Sequence, residues 1–422
     1  MKKNLPIALS FVVFGLATLF YFFDYFLQVV PGVFSSVLTT AFSLDARALG
    51  RLSASFFLTY TLMQLPAGFL YDKFGGRIVI FCAALIASLG AYLFSIADTI
   101  FMANLSRMLM GGGAAFAFLG ALYFASRWFP SKYFATLAGV VALVGSIGAI
   151  FGEGLLARML SNFGWRDTMF YVALFGGILA ISIGMLAKNY PFNEQTQIKK
   201  ERPNSPRQDF GYLLSHSQVW GLGVYCFLNW SIVSVFAVLW GIPYLKLVYN
   251  MRLSEASMSI LFLWIGVGIG SPLMGWFSDV IKRRKLPLIL CSLLATISFL
   301  LLLYLPAISH HMVDVLLFSL GFAAAGPTIV FAAVKDNVPI QSHNLCNGLI
   351  NMLAVVSGLF LQPTVGFIMN IFWQNNITAG IKVYSAHTYT YALSLLPFVA
   401  FLSILVSLFW IKETYCQEYS KI

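Results

Sequence analysis

GFLYDKFGGR, residues Gly68 to Arg77, closes one apolar run and opens the next, and GWFSDVIKRR, Gly275 to Arg284, does the same 207 residues later. A second pair of landmarks repeats at nearly that distance. Pro130 precedes Gly139 as Pro339 precedes Gly348, and both members are displaced by 209 residues. Two independent features at almost one offset read as a duplicated chain. Working outward from them, apolar segments fall at about 7–38, 47–71, 77–97, 99–126, 133–158 and 166–187. Six more follow at about 214–246, 254–280, 286–306, 310–334, 342–372 and 385–411. The stretch between the sixes, Lys188 to Asp209, is charged and contains prolines, so it reads as a linker. The expected organisation is a first six-helix bundle over 1–188, a cytoplasmic linker over 189–213 and a second bundle over 214–422.

Composition names the solvent of these helices. The 422 residues are 59% hydrophobic and 10% charged, with a mean hydropathy of +0.84. Soluble domains carry about 25% charged residues, so most of this surface must face something other than water. A bilayer span needs about 20 apolar residues, and each segment supplies them. The net charge of +11 does not point to nucleic acid, because the basic residues sit in short loops between apolar runs. With the N-terminus inside, eighteen of the 26 Lys and Arg fall on the cytoplasmic side. Seven fall outside: Arg47, Arg51, Arg158, Arg166, Lys246, Arg252 and Lys382. That bias predicts a multi-pass protein of the cell inner membrane with both termini cytoplasmic. The first apolar run is too long for a cleavable signal and is expected to remain as the first helix. The five cysteines show neither paired nor metal-ligand spacing, so no metal is expected.

The first repeat reads Gly68-x-Leu70-x-Asp72-Lys73-x-Gly75-Gly76-Arg77. It resembles the loop motif G-x-L-x-D-[RK]-x-G-[RK]-[RK] that joins helices 2 and 3 in the major facilitator superfamily. Gly76 replaces one basic residue, and the second copy keeps Gly275, Asp279 and a basic cluster. Arg107-x-x-x-Gly111-Gly112-Gly113-Ala114-Ala115 is similar to the R-x-x-x-G-x-G-A-A stretch of helix 4 in that family. The resemblance implies an all-α membrane protein of twelve helices in two pseudo-symmetric bundles, acting by alternating access. It also implies that Gly68, Asp72, Lys73, Gly75, Arg77, Gly275 and Asp279 form gating loops. Physically, Gly68 permits close helix approach, and Asp72 at a helix end can meet basic groups or a helix N-terminus.

Few charges lie inside the apolar runs. Arg107 falls within the fourth segment, about 12 Å from its start, and Asp24 about 26 Å along the first. Both are then in the outer half, where a buried Arg needs a partner or water. Asp24 is the expected partner, with Glu153 as a third member. Some sugar–proton symporters of the resembled family pair a helix 1 Asp with a helix 4 Arg, and Asp24 and Arg107 look similar in kind. A structural ion pair is the competing reading. Gly148 and Gly152 have the spacing of an antiporter helix 5, but Glu153 stands where a proline is expected, which favours uptake over efflux.

Tyr21, Tyr25, Gln28, Asn229, Trp230, Trp264, Asn347, Asn351 and Tyr391 are candidates for lining a substrate cavity. Each is as readily explained by hydrogen bonding between helices or by packing. No enzyme chemistry is visible. The histidines sit at loops or helix ends, and no G-x-x-x-x-G-K-[ST] loop is present to bind ATP.

Segments Phe23–Phe34 and Leu49–Gly75 are similar to a bacterial branch that includes the phagosomal nutrient transporters of amino acids and nucleosides. The expectation is therefore a monomeric, cofactor-free, proton-coupled symporter importing an amino acid or small peptide. Its partners would be that substrate, protons and the lipid bilayer, and not nucleic acid. The alternatives are export of a siderophore or drug-like compound, carriage of an organic anion, sugar or nucleoside, and a non-transporting membrane sensor.

Overall fold

The fold was analysed in a computed structural model. It describes residues 7–130, 133–189, 216–305, 308–339, 343–378 and 380–417. Among the described residues, ten helices are long and apolar enough to cross a membrane. Two facts raise the number of spans to twelve. Phe134–Leu186 runs for 53 residues, about 80 Å of helix, more than twice the roughly 30 Å hydrocarbon core. It breaks at Gly164, where φ is 77° and ψ is 171°, so it supplies spans 5 and 6. Ala46–Phe74, 29 residues long, is span 2; its Arg47, Arg51, Asp72 and Lys73 lower its hydropathy but sit near its ends.

The other first-half spans are span 1 (Ile7–Val33), span 3 (Gly76–Ser95) and span 4 (Ile100–Trp128). In the second half, span 7 is Ser217–Val248, span 8 Leu253–Val280 and span 9 Lys285–Tyr304. Span 10 is His310–Asn337, span 11 His343–Ile371 and span 12 Ala386–Trp410. Phe69, Phe101, Phe151, Met185, Trp276, Phe360 and Phe409 stand out on the surface at 58% exposure or more. In water such side chains would drive aggregation; in lipid they are solvated.

The chain divides into two compact units. One comprises Met1–Val30 with Ser55–Glu201, the other Pro31–Ala54 with Arg202–Ile422. The end of span 1, the short helix Ser35–Ala41 and the start of span 2 thus pack with spans of the second half. Glycine allows it. A Cβ at Gly32 would lie 2.5 Å from the Val238 carbonyl oxygen, and one at Gly50 would lie 2.7 Å from that of Gln362.

Each unit repeats the same pairings. In the first unit Gly111 of span 4 abuts the Phe56 carbonyl of span 2, and in the second Gly321 of span 10 abuts the Leu263 carbonyl of span 8. Ser88 of span 3 donates to the Ala173 carbonyl of span 6 at 2.6 Å. Its counterpart is Ser403 of span 12, which bonds Ser292 of span 9 at 2.7 Å. The duplication read from the loops therefore extends to interior backbone contacts. Without a hydrophobic force between helices in lipid, such close approaches and hydrogen bonds hold the bundle.

The loop motif has a local explanation in part. Gly75 adopts φ +80° between spans 2 and 3, a conformation costly for other residues. Arg77 then reaches the end of span 6, where Nε and Nη2 donate to the Gly184 carbonyl at 3.0 and 2.5 Å. Lys73 lies 5.1 Å from the Phe74 ring centroid. Gly68 does not receive the expected close neighbour: a Cβ there would meet nothing within 4 Å among the described residues. Asp72 lies in helix, but its side chain is outside the described residues. In the second copy, Asp279 pairs with Arg284 five residues on at 2.6 Å. A Cβ on Gly275 would meet, among the described residues, the Thr328 methyl at 3.8 Å.

Candidate functional site

The site grows from a proline. Pro31 lies inside the last turn of span 1 and has no N–H to offer the carbonyl four residues back. That carbonyl belongs to Leu27. Arg107 of span 4 supplies the missing donor, with Nη1 2.7 Å from the Leu27 oxygen. Its guanidinium also lies 4.7 Å from the centroid of the Phe56 ring of span 2. Arg107 is fully buried, and its Nε and Nη2 have no hydrogen-bond partner among the described residues.

Asp24 is fully buried one turn earlier on span 1. Its Oδ1 accepts from Gln28 Nε2 at 2.9 Å. Its Oδ2 accepts from the Tyr60 hydroxyl of span 2 at 3.4 Å. The anticipated Asp24–Arg107 ion pair is not formed among the described residues. Leu27 is three residues beyond Asp24, about 4.5 Å along the helix axis, and Arg107 spends its one bonded nitrogen on that backbone oxygen. The two charges are thus neighbours with separate partners. Glu153 of span 5 is also fully buried.

Spans 1 and 5 are held close by a glycine. A Cβ on Gly148 would stand 2.5 Å from the Phe22 carbonyl oxygen. The contact brings span 5 against the tyrosines of span 1. Tyr21 donates to Tyr25 at 3.3 Å, with their rings edge to face at 5.1 Å. Of the residues singled out from sequence, Tyr21, Asp24, Tyr25 and Gln28 share this neighbourhood. Tyr60 belongs to it too, and sequence reasoning missed it. A tyrosine in an apolar helix carries no signal of which neighbour it faces.

The second unit has its own polar interior. Asn229 of span 7 donates to the Ala323 carbonyl at 3.1 Å, and its Oδ1 has no hydrogen-bond partner among the described residues. Ser234 and Ser357 share a 2.6 Å hydrogen bond. Gln362 donates to the Ser234 carbonyl at 2.6 Å. Ser234 lies in a nine-residue π-helical stretch, Ile232–Trp240, all of it buried. Such segments recur at functional sites. Trp264 is fully buried, and Trp230 packs on the hydrophobic core. Asn347 and Asn351 are half-buried on span 11, and Asn347 Oδ1 has no hydrogen-bond partner among the described residues. Tyr391 does not line an interior: it is 55% exposed, with its ring 5.4 Å from Phe372. Helix periodicity alone did not say which face of span 12 turns outward.

Among the described residues no group of His, Cys, Asp or Glu could hold a metal. What the first unit offers is a buried cation with open donors beside a buried carboxyl on neutral donors, on three helices that pack at backbone distance. Such a set suits binding and release of charged solutes.

Residues 14–363 match the Major Facilitator Superfamily. The chain belongs to that superfamily. The relatives named next are remote in sequence. It is 23% identical over 345 residues to an ascorbate transporter of Arabidopsis thaliana chloroplasts, covering 77% of this chain and 63% of that protein. It is 22% identical to a hexuronate transporter of Bacillus subtilis (strain 168), covering 78% and 80%. The fold matches a bacterial homolog of the human lysosomal transporter Spinster, solved inward-facing and unoccupied. The TM-score is 0.78 at 17% identity, over 96% of both chains. This superfamily member is therefore a multi-pass membrane protein and a secondary transporter.

Proposed function

We propose that the protein imports a small organic anion together with a proton. Arg107 takes the substrate carboxylate and Asp24 carries the proton. The observation that carries this reading is a fully buried guanidinium that, among the described residues, has no carboxylate partner and two nitrogens without a hydrogen bond. Burying a lone cation costs several kcal/mol. A carrier that keeps one gains if the missing counter-ion is its cargo. Nε and Nη2 offer the parallel donors that grip a carboxylate in two bonds. The relatives named for ascorbate and hexuronate, both acids, support the class. A buried Asp24 held by the neutral donors Gln28 and Tyr60 supplies a site that can be discharged by a proton.

On this reading the protein is a monomer of the cytoplasmic membrane with both termini inside. The helix ends carrying Asp72 and Asp279 serve its gating, and a first bundle over 1–188 works against a second over 214–422. An amino acid is the second reading. Its carboxylate would meet Arg107 and its ammonium Asp24, which has no cationic partner among the described residues.

One assay separates these. Proteoliposomes are given D-glucuronate, D-glucarate, alanine or a dipeptide, with and without an acid-outside gradient. Gradient-stimulated uptake of the sugar acids and not of alanine is expected. Uptake of alanine alone selects the second reading. Movement of neither, in protein shown to be folded, overturns both.

A further inference from the structure

A cavity of about 390 Å³ lies within the second unit and contains none of the residues discussed for transport. Its volume is in the range of small-molecule sites. Ser35, Leu49 and Trp240 are buried at its floor, while Ser36, Leu247 and Val383 are exposed at its rim. Two ammonium groups line it, Lys246 and Lys382, and no carboxylate does. Lys246 is half-buried and, with Ser35 and Thr39, has no polar side-chain partner among the described residues.

Lys382 is only loosely engaged. It stands 3.8 Å from Asp45, with both side chains about a third exposed, and its ammonium lies 4.5 Å from the Trp373 centroid. Asp45 is satisfied elsewhere, by Asn370 Nδ2 at 2.8 Å and the Ala48 N–H at 2.7 Å. Its hold on Lys382 is therefore weak, and the ammonium is open to a better anion.

Charge placement points the same way. Five of the seven cations assigned outside by the loop count, Arg47, Arg51, Lys246, Arg252 and Lys382, belong to this unit, and Lys246 and Lys382 line the cavity itself. Cations are depleted on that side of membrane proteins, so a concentration of them calls for a role. A cavity lined by one sign of charge concentrates ions of the other.

We propose that this cavity is a recruitment site for small hydroxylated carboxylates, which Lys246 and Lys382 hold by the carboxylate while Ser35 and Thr39 meet the hydroxyls. The proposal rests on the organic-anion reading of the substrate, and the test keeps the two apart. Wild-type protein and Arg107→Gln are labelled in detergent with a lysine-acetylating reagent, and the modification of Lys246 and Lys382 is followed by peptide mass spectrometry. D-Glucuronate is expected to slow both lysines several-fold in both proteins, while equimolar glucose, matched for salt, does not. Equal rates with glucuronate and glucose overturn the site. Lys246→Gln with Lys382→Gln is then expected to raise the KM for glucuronate uptake about tenfold at low salt and leave Vmax unchanged. An unchanged KM overturns the recruitment role. If the wild type transports no organic anion yet glucuronate protects both lysines, the transport reading fails and the binding site stands.

Discussion

Arg107→Gln should separate the two jobs the guanidinium does. Nη1 mends the backbone where Pro31 leaves the Leu27 carbonyl unpaired. Nε and Nη2 are the open fork. Hydrogen bonds to charged groups are worth about 1.5–3 kcal/mol each. Losing both from a bound carboxylate costs about 3–6 kcal/mol, or about two to four decades of affinity. The empty protein follows a different sum. It gives up the Leu27 bond and the Phe56 ring contact, about 2–4 kcal/mol together. It also sheds a buried charge without a counter-ion, whose burial costs several kcal/mol. These terms nearly cancel, so the melting temperature of empty protein should change little. The stabilisation by substrate, about 2.7 kcal/mol at a hundredfold excess over Kd, should disappear. Arg107→Lys keeps the charge but not the fork, and should weaken binding about tenfold. The assay is thermal unfolding of purified protein with and without D-glucuronate, beside the uptake KM. A variant that melts far lower yet keeps the KM would refute the reasoning, because Arg107 would then be only a brace for span 1.

Three further perturbations test other parts of the structure. Asp24→Asn should abolish gradient-driven accumulation while sparing substrate exchange, and undiminished accumulation in proteoliposomes rules Asp24 out as the proton carrier. Gly148→Leu forces a side chain into the Phe22 backbone, 2.5 Å from the first added carbon; overpacking of about 1–3 kcal/mol should lower the melting temperature and abolish uptake. Gly139→Leu, where a Cβ meets nothing within 4 Å among the described residues, should be silent in both, and equal damage at the two sites would sink the packing argument. Arg284→Ala strands the buried Asp336, now paired at 2.9 Å, and should cost about 3 kcal/mol, read as a lower melting temperature; no change would mean that the pair is solvated.

The amino-acid sequence by itself determined how many times the chain crosses and that it does so as two related halves. Those properties are written in one dimension. Apolar runs of bilayer length report the solvent, and Gly68 and Gly275 keep their register because each half builds the same loop. It also identified Asp24, Arg107 and Glu153 as buried charges, since a charge inside an apolar run has no route to water; the buried pair Arg284–Asp336, at the inner ends of its helices, it did not single out.

Tertiary structure alone decided what those charges touch. Asp24 meets Tyr60, thirty-six residues away on another span, and Arg107 takes a backbone carbonyl instead of the carboxylate expected for it. The sequence held half of that answer in Pro31, whose missing N–H leaves Leu27 in want of a donor. It did not say which donor would come. Helix rotation, set by contacts such as Gly111 on Phe56 and Gly148 on Phe22, chooses the face each side chain presents. The same packing turned Tyr391 outward and joined residues 31–54 to the second unit. Hydrophobic runs tell a residue which solvent it lives in; only close approach of backbones tells it which neighbour.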